Sequence, residues 1–243
     1  MKIPSFITVR TASKRLPNKC LLPFGKNNVL EHVIHRTKFY GLQPIVCTTL
    51  DSSDDIIEDI AKKENLMFFR GSSTNKLKRW LDCCNHFCFK EFHTVDADDP
   101  FFDGDEIKRS MTLLHEGYDM VSPTISSSSG GASMGYSITR EIIDKACAII
   151  AEDEDTEMVW YYLDRVEGIK MIVLPAIDSN PLSIRLTLDY QEDYWLLQTI
   201  QRILGNFASR KEVDDLFKRN PDLYKINWFR NKEWSNNQKK KKV

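Results

Sequence analysis

Several things are scarce in this 243-residue chain, and each scarcity narrows its function. It lacks an excess of either charge: 34 Lys and Arg stand against 35 Asp and Glu, for a formal net charge of −1. The molecule as a whole is therefore no electrostatic magnet for nucleic acid, and any basic site must be local. None of its six cysteines forms a CxxC pair. "CCNHFC" (83–88) brings His86 near three thiols, but spacings of one, three and four do not match a zinc pattern, and the segment reads as an amphipathic helix. Buried free thiols suit a reducing compartment. No glycine lies in positions 10–19, which excludes a GxGxxG or GxxxxGK[ST] phosphate loop there. No apolar run approaches the roughly 20 residues that span a bilayer, and the N-terminus has no signal-peptide pattern. These absences predict a soluble, cytoplasmic protein with neither a membrane nor a nucleic acid as partner.

What is present is an alternation. "SFITV" (5–9), "PIVCTT" (44–49), "LMFFRG" (66–71) and "EFHTVDAD" (91–98) read as buried strands. Between them, 28–41, 53–65 and 75–87 carry apolar residues at helical spacing. The βαβ alternation predicts an α/β fold, a mostly parallel sheet with helices on both faces, and ligands bind at the strands' carboxyl ends in such sheets. Further on, 105–117 reads as a helix, 119–124 as a strand, 125–135 as a polar loop and 137–153 as a helix capped by Ser137 or Thr139. Strands are predicted over 170–175 and 183–189, and helices over 191–205 and 209–221. The run "KKKK" (239–242) reads as a solvated tail.

Two motifs fall at strand carboxyl ends. In "FITVRTASKRLPNKCLLPFG" (6–25), Arg10, Lys14, Arg15 and Lys19 follow the first strand. Arg forks, a Lys point charge and the Ser13 hydroxyl suit a polyphosphate. Lys14 reads as solvated. In "VDADDP" (95–100), Asp96 and Asp98 point to one side of a strand end. Such carboxylates are costly unless paired or bound to a cation, so they either cap the following helix or hold Mg²⁺. Asp189, in "RLTLDYQED" (185–193), is a helix cap or a second metal carboxylate. Cradle and carboxylates together suit metal-assisted nucleotidyl transfer.

These pieces, in order, carry a resemblance. "RTASKRLPNK" (10–19), "TTLDSSDD" (48–55), "FRGS" with "LKRW" (69–80), "DADDPFFD" (96–103), "IRLTLDYQEDYWLL" (184–197) and "NPDLYKIN" (220–227) are similar to the segments of sugar cytidylyltransferases. The relatives are the spore-coat polysaccharide type, the Kdo cytidylyltransferases and the acylneuraminate synthetases. The resemblance implies a nucleotidyltransferase fold, GT-A-like and Rossmann-like, working as a homodimer with CTP as co-substrate and Mg²⁺ as cofactor. It implies one domain over 1–230, with the acceptor and dimerisation part near 120–180, and a basic tail over 231–243. By resemblance Arg10, Ser13, Arg15 and Lys19 contact the triphosphate, with Arg10, Arg15 and Lys19 catalytic. Thr48, Thr49 and Asp51 lie near the base, Arg79 faces the nucleotide, and Asp98 and Asp189 hold Mg²⁺. Asn18 and Ala97 stand where the family commonly has Gly.

The expected activity is CMP transfer from CTP to an acidic sugar, a nonulosonic acid or Kdo, for surface polysaccharide. The acceptor carboxylate calls for a cation, with Arg140, Arg165 and Arg185 as candidates. No histidine is placed as a general base. The alternatives are another nucleotide used on a sugar phosphate or small alcohol, and a non-catalytic binding relative.

Overall fold

The computed structural model describes residues 2–151, 153–177 and 182–240, without the side chains of 238–240. Of the lysine run over 239–242, the backbone of 239 and 240 closes the last helix, and 241–242 lie outside the described residues. Seven strands form one sheet in the order β5-β4-β1-β6-β8-β7-β9. They are β1 (Pro4–Thr8), β4 (Gln43–Thr49), β5 (Met67–Gly71), β6 (Glu91–Asp96), β7 (Met120–Ser122), β8 (Ser137–Thr139) and β9 (Met171–Val173). A separate two-residue hairpin, β2 (Pro23–Phe24) with β3 (Asn27–Asn28), follows the first loop.

The central strands β1, β4 and β6 are buried through their middles because both faces are covered. On one face Ile7, Val46, Val95 and Val121 pack with α1 (Val29–Phe39), α2 (Asp55–Lys63) and α4 (Gly104–His115). Their strand neighbours Phe6, Ile45, Phe92 and Met120 point the other way. They meet α3 (Lys76–Phe87), α6 (Arg140–Ala148) and α7 (Val159–Leu163). A third cluster joins Leu186 and Leu188 to α8 (Gln191–Leu204) and α9 (Arg210–Arg219). The mixed, mostly parallel α/β sheet matches the expectation.

Three expectations need correcting. Residues 137–139 do not begin a helix. They form β8, pairing antiparallel with β6 and β7, and α6 starts only at Arg140. Ser137 is fully buried there, and its hydroxyl joins His93 and Ser110. The 183–189 segment is extended but joins no sheet. Its N–H groups go to loops, Leu186 to the Gly130 carbonyl and Leu188 to the Asp98 carbonyl, each at 2.7 Å. The polar loop 125–135 contains a short helix, α5 (Ile125–Ser128). Of the six thiols, Cys88 is exposed and Cys147 half-buried; the other four are buried, and all six are free.

β8 is the one reversed strand of the sheet. Residues 123–136 connect β7 to β8, so they both leave and re-enter at the sheet's carboxyl edge. Gly135 makes this possible: its φ is +88°, and a Cβ would collide with the Thr94 carbonyl. Thr94 and Tyr136 close the junction with two hydrogen bonds of 2.8 Å.

Candidate active site

The loop after β1 is braced from below by one carboxylate. Asp54 Oδ1 accepts from the Thr11 backbone N–H at 2.8 Å and the Thr11 hydroxyl at 2.7 Å. Its Oδ2 accepts from the Thr48 and Thr49 hydroxyls at 3.1 and 2.5 Å. Burial opposes the Asp54 charge, but these donors outweigh it and hold its pKa below the usual carboxylate value. Thr48 and Thr49, both buried, thus spend their hydroxyls on the brace. Asn18 has φ 53°, a left-handed conformation that Asn tolerates and Gly adopts freely, which accounts for the departure noted at this position.

Above the brace, the cations of the loop meet carboxylates. Arg15 lies 2.5 Å from Asp189 Oδ1. Lys19 Nζ lies 2.5 Å from Asp98 Oδ2 and 3.0 Å from Asp189 Oδ1, and donates to the Leu188 carbonyl at 2.9 Å. Arg10 pairs with Glu157 at 3.1 Å. Burial works against the Lys19 charge, yet Asp98 and Asp189 together keep its pKa above the ordinary lysine value. Burial likewise opposes Asp189, but Lys19 and Arg15 pull its carboxyl down to about 2. Asp98, more deeply desolvated and beside Asp189 and Asp96, is shifted upward. Asp99 is buried with its Oδ1 unpartnered, and burial plus its acidic neighbours push its pKa well up.

Asp189 is presented, not used as a cap. Asp193 takes the capping role, its Oδ2 accepting from the Asp189 and Tyr190 N–H groups at 2.9 Å each. Arg185 fixes Asp193 with two hydrogen bonds of 2.8 and 2.9 Å. Asn227 adds a third at 2.9 Å. From the C-terminal helix α10 (Arg230–Lys240), Arg230 grips Glu192 with both arms of its fork.

A cleft of about 370 Å³ opens over these groups. Arg15, Asp98 and Asp189 line it, together with Lys76, Asp96, Tyr136, Glu157, Trp160 and Trp234. Of the remaining residues singled out from the sequence, Ser13 sits half-buried in the loop, and Lys14 is exposed as expected. Asp51 is exposed and accepts from Arg70 through its carbonyl. Arg79 is buried beneath, donating to the Ser72 carbonyl with its Nε unpartnered.

The three acceptor candidates lie elsewhere. Arg140 starts α6, its N–H bonded to the Lys90 carbonyl at the opposite end of β6. Arg165 stacks 3.9 Å over the exposed Tyr161 ring. Arg185 is fully buried and committed to Asp193. Sequence reasoning missed the brace role of Asp54, although "TTLDSSDD" contained it, and it missed Lys76, Glu157 and Trp234. Only the fold brings these last three to the cleft.

A cytidylyltransferase family model matches residues 5–221. The chain belongs to the cytidylyltransferase family. The spore coat polysaccharide biosynthesis protein SpsF of Bacillus subtilis is 27% identical over 227 residues, covering 89% of this chain and 94% of its own. A cytidylyltransferase structure from Leptospira borgpetersenii is 28% identical, with a TM-score of 0.81 over 92% of this chain and 97% of that one. The structure of CMP:2-keto-3-deoxy-manno-octonic acid synthetase complexed with CTP, 12% identical with a TM-score of 0.64, covers 84% of this chain and 99% of its own and shares the fold. This cytidylyltransferase is thus a nucleotidyltransferase enzyme, and the matched span includes Arg10 to Lys19, Asp98 and Asp189. Its α10, with Trp234, lies beyond that span. No helix among the described residues is long and apolar enough to cross a membrane.

Proposed function

We propose that this cytidylyltransferase moves CMP from CTP to an acidic sugar, a nonulosonic acid or Kdo-like compound, for surface glycan synthesis, as a cytoplasmic homodimer. The observation that carries the transfer chemistry is the convergence of Arg15 and Lys19 on Asp98 and Asp189. The two carboxylates share one ammonium, so they already stand where a single cation can touch both. Their hard oxygens fit Mg²⁺, which binds through one or two carboxylates together with substrate phosphates. Among the described residues there is no cage of three or more metal-ligating side chains, and such a site does not need one. Bound there, Mg²⁺ supplies neutralisation of the polyphosphate charge.

The chain's own residues do the rest. Arg10, Ser13, Arg15 and Lys19 bind and orient the triphosphate once their carboxylate partners are engaged elsewhere. The acceptor hydroxyl oxygen forms a bond to the α-phosphorus, the bond from that phosphorus to the bridging oxygen breaks, and pyrophosphate leaves with the electron pair. Arg15 and Lys19 meet the charge that builds on the leaving group. The hydroxyl proton passes to water.

Calorimetry with CTP, UTP, GTP and dTTP should show Mg²⁺-dependent binding of CTP alone, and pyrophosphate release should follow on adding a sugar acid. Asp98→Ala should lose the Mg²⁺-dependent part of CTP binding. The proposal fails if that variant binds CTP with Mg²⁺ as tightly as the wild type while every sugar acid stays silent.

A further inference from the structure

The acceptor end of the cleft holds one cation. Besides Arg15, which faces the triphosphate side, Lys76 is the one basic residue lining the cleft among the described residues. It is the first residue of α3, and Asn75 caps that helix by accepting from the Lys78 N–H at 2.9 Å. The Lys76 ammonium lies 2.9 Å from Asp96 Oδ1 and 5.1 Å from the centre of the Trp80 ring. Trp80 is itself pinned by its indole N–H, which donates to the Thr8 hydroxyl at 3.0 Å. The Lys76 side chain is only 12% exposed.

An ammonium has three N–H donors. Asp96 takes one, and the others meet no acceptor among the described residues. That cation is hydrogen-bonded to Asp96 alone among the described residues, with Glu157 of the same cleft acting on its charge from further off, so it keeps donor capacity at the cleft wall. Tyr136, Trp160 and Trp234 also line the cleft, Trp234 beside Arg185, and amphipathic rings of this kind suit the mixed polar and apolar faces of a sugar. The arginines that could otherwise meet an anionic acceptor are remote or already paired, as described above.

We propose that Lys76 is the acceptor-selecting residue, binding the carboxylate of the sugar acid, and that Asp96 is its counter-ion in the free enzyme, competing with the acid for the ammonium. This rests on the acidic-acceptor reading and adds the residue that enforces it. Asp96 and the acceptor carboxylate then share Lys76, which fixes the expected signs. Removing the lysine charge should weaken the acid. Removing the Asp96 charge should leave more of the lysine field for it.

The test uses the full-length enzyme with Kdo and N-acetylneuraminate as acids, and their C1 carboxamides as uncharged controls. CTP binding with Mg²⁺, measured first by calorimetry, checks the cytidylyl reading separately. Wild type should favour an acid over its amide by about tenfold or more in kcat/KM, the scale of one charge-assisted hydrogen bond. Lys76→Met should erase that preference by raising the KM of the acid, with the CTP affinity within about twofold of wild type. Lys76→Arg should keep the preference. Asp96→Asn should leave the acid KM unchanged or lower it. The inference is overturned if Lys76→Met weakens CTP instead, or slows acid and amide alike. It is also overturned if Asp96→Asn raises the acid KM as much as Lys76→Met does, or if a wild type that binds CTP with Mg²⁺ turns over neither acid.

Discussion

Asp54 and Glu157 touch the same loop and should respond to substitution with opposite signs. Asp54 is 1% exposed and accepts four hydrogen bonds from Thr11, Thr48 and Thr49. Asp54→Ala strands those donors in a dry place, so it should cost about 3 kcal/mol in urea denaturation. It should also weaken CTP by loosening the loop that Thr11 anchors. If Arg10 grips the triphosphate as proposed, Glu157 instead competes with it: Glu157 holds Arg10 at 3.1 Å across a pair whose side chains are 43% and 39% exposed. Such a pair contributes at most about 1 kcal/mol. Glu157→Gln should therefore tighten CTP, by up to about fivefold, in a calorimetric titration. Weaker CTP binding in that variant would show that Glu157 supports the loop instead of competing for it. The positive charge of residues 10–19 was legible as a cluster. Its pairing was not, because Asp98, Glu157 and Asp189 come from distant loops that only the sheet brings together.

Among the elements, β1, β4, β5 and β6 were legible because short runs rich in β-branched and aromatic residues alternate with helical spacing. β8 was not. Three residues directly ahead of a helix carry too little periodicity to separate from it, and the partners of Ser137 in β6 and β7, His93 and Val121, lie 44 and 16 residues earlier. The 183–189 segment shows the converse. Its alternation is real, since Leu186 and Leu188 enter the third core cluster while Asp189 faces the cleft, but its N–H groups are satisfied by Gly130 and Asp98 rather than by a strand. The turn into β8 can be tested with paired variants. Gly135 and Gly117 both have positive φ, +88° and +103°, but only at Gly135 would a Cβ strike the backbone, at Thr94; at Gly117 it would meet nothing within 4 Å. Gly117→Ala should cost about 1 kcal/mol of backbone strain. Gly135→Ala should cost at least twice as much in the same thermal melts, or fail to fold. Equal losses would mean that the Thr94 contact yields without penalty.

For the molecule as a whole, two buried imidazoles set an acid limit. His32 Nε2 donates to the Pro100 carbonyl at 2.8 Å, and His93 sits between Met134 and Ser137. Burial lowers both from 6.5 to about 4. The unfolded chain takes up their protons first, so their stabilising effect is complete above pH 6.5 and drains away as pH falls toward 4. The ceiling is about 3 kcal/mol for each. Urea midpoints should drop between pH 7 and pH 5, and His93→Gln should flatten that slope; an unchanged slope would assign the loss to carboxylates. The reversed strand β8 has a consequence at this scale too. The cation loop hangs from β1, whereas 123–136 hangs from β7 and β8, and the two share no strand. The 183–189 segment links them, since its Leu186 N–H bonds the Gly130 carbonyl while its Asp189 pairs with Arg15 and Lys19. A change of length in 123–136 therefore travels along one short extended segment to the paired charges, and the reversed strand makes Gly130 the place where two otherwise separate loops answer to each other.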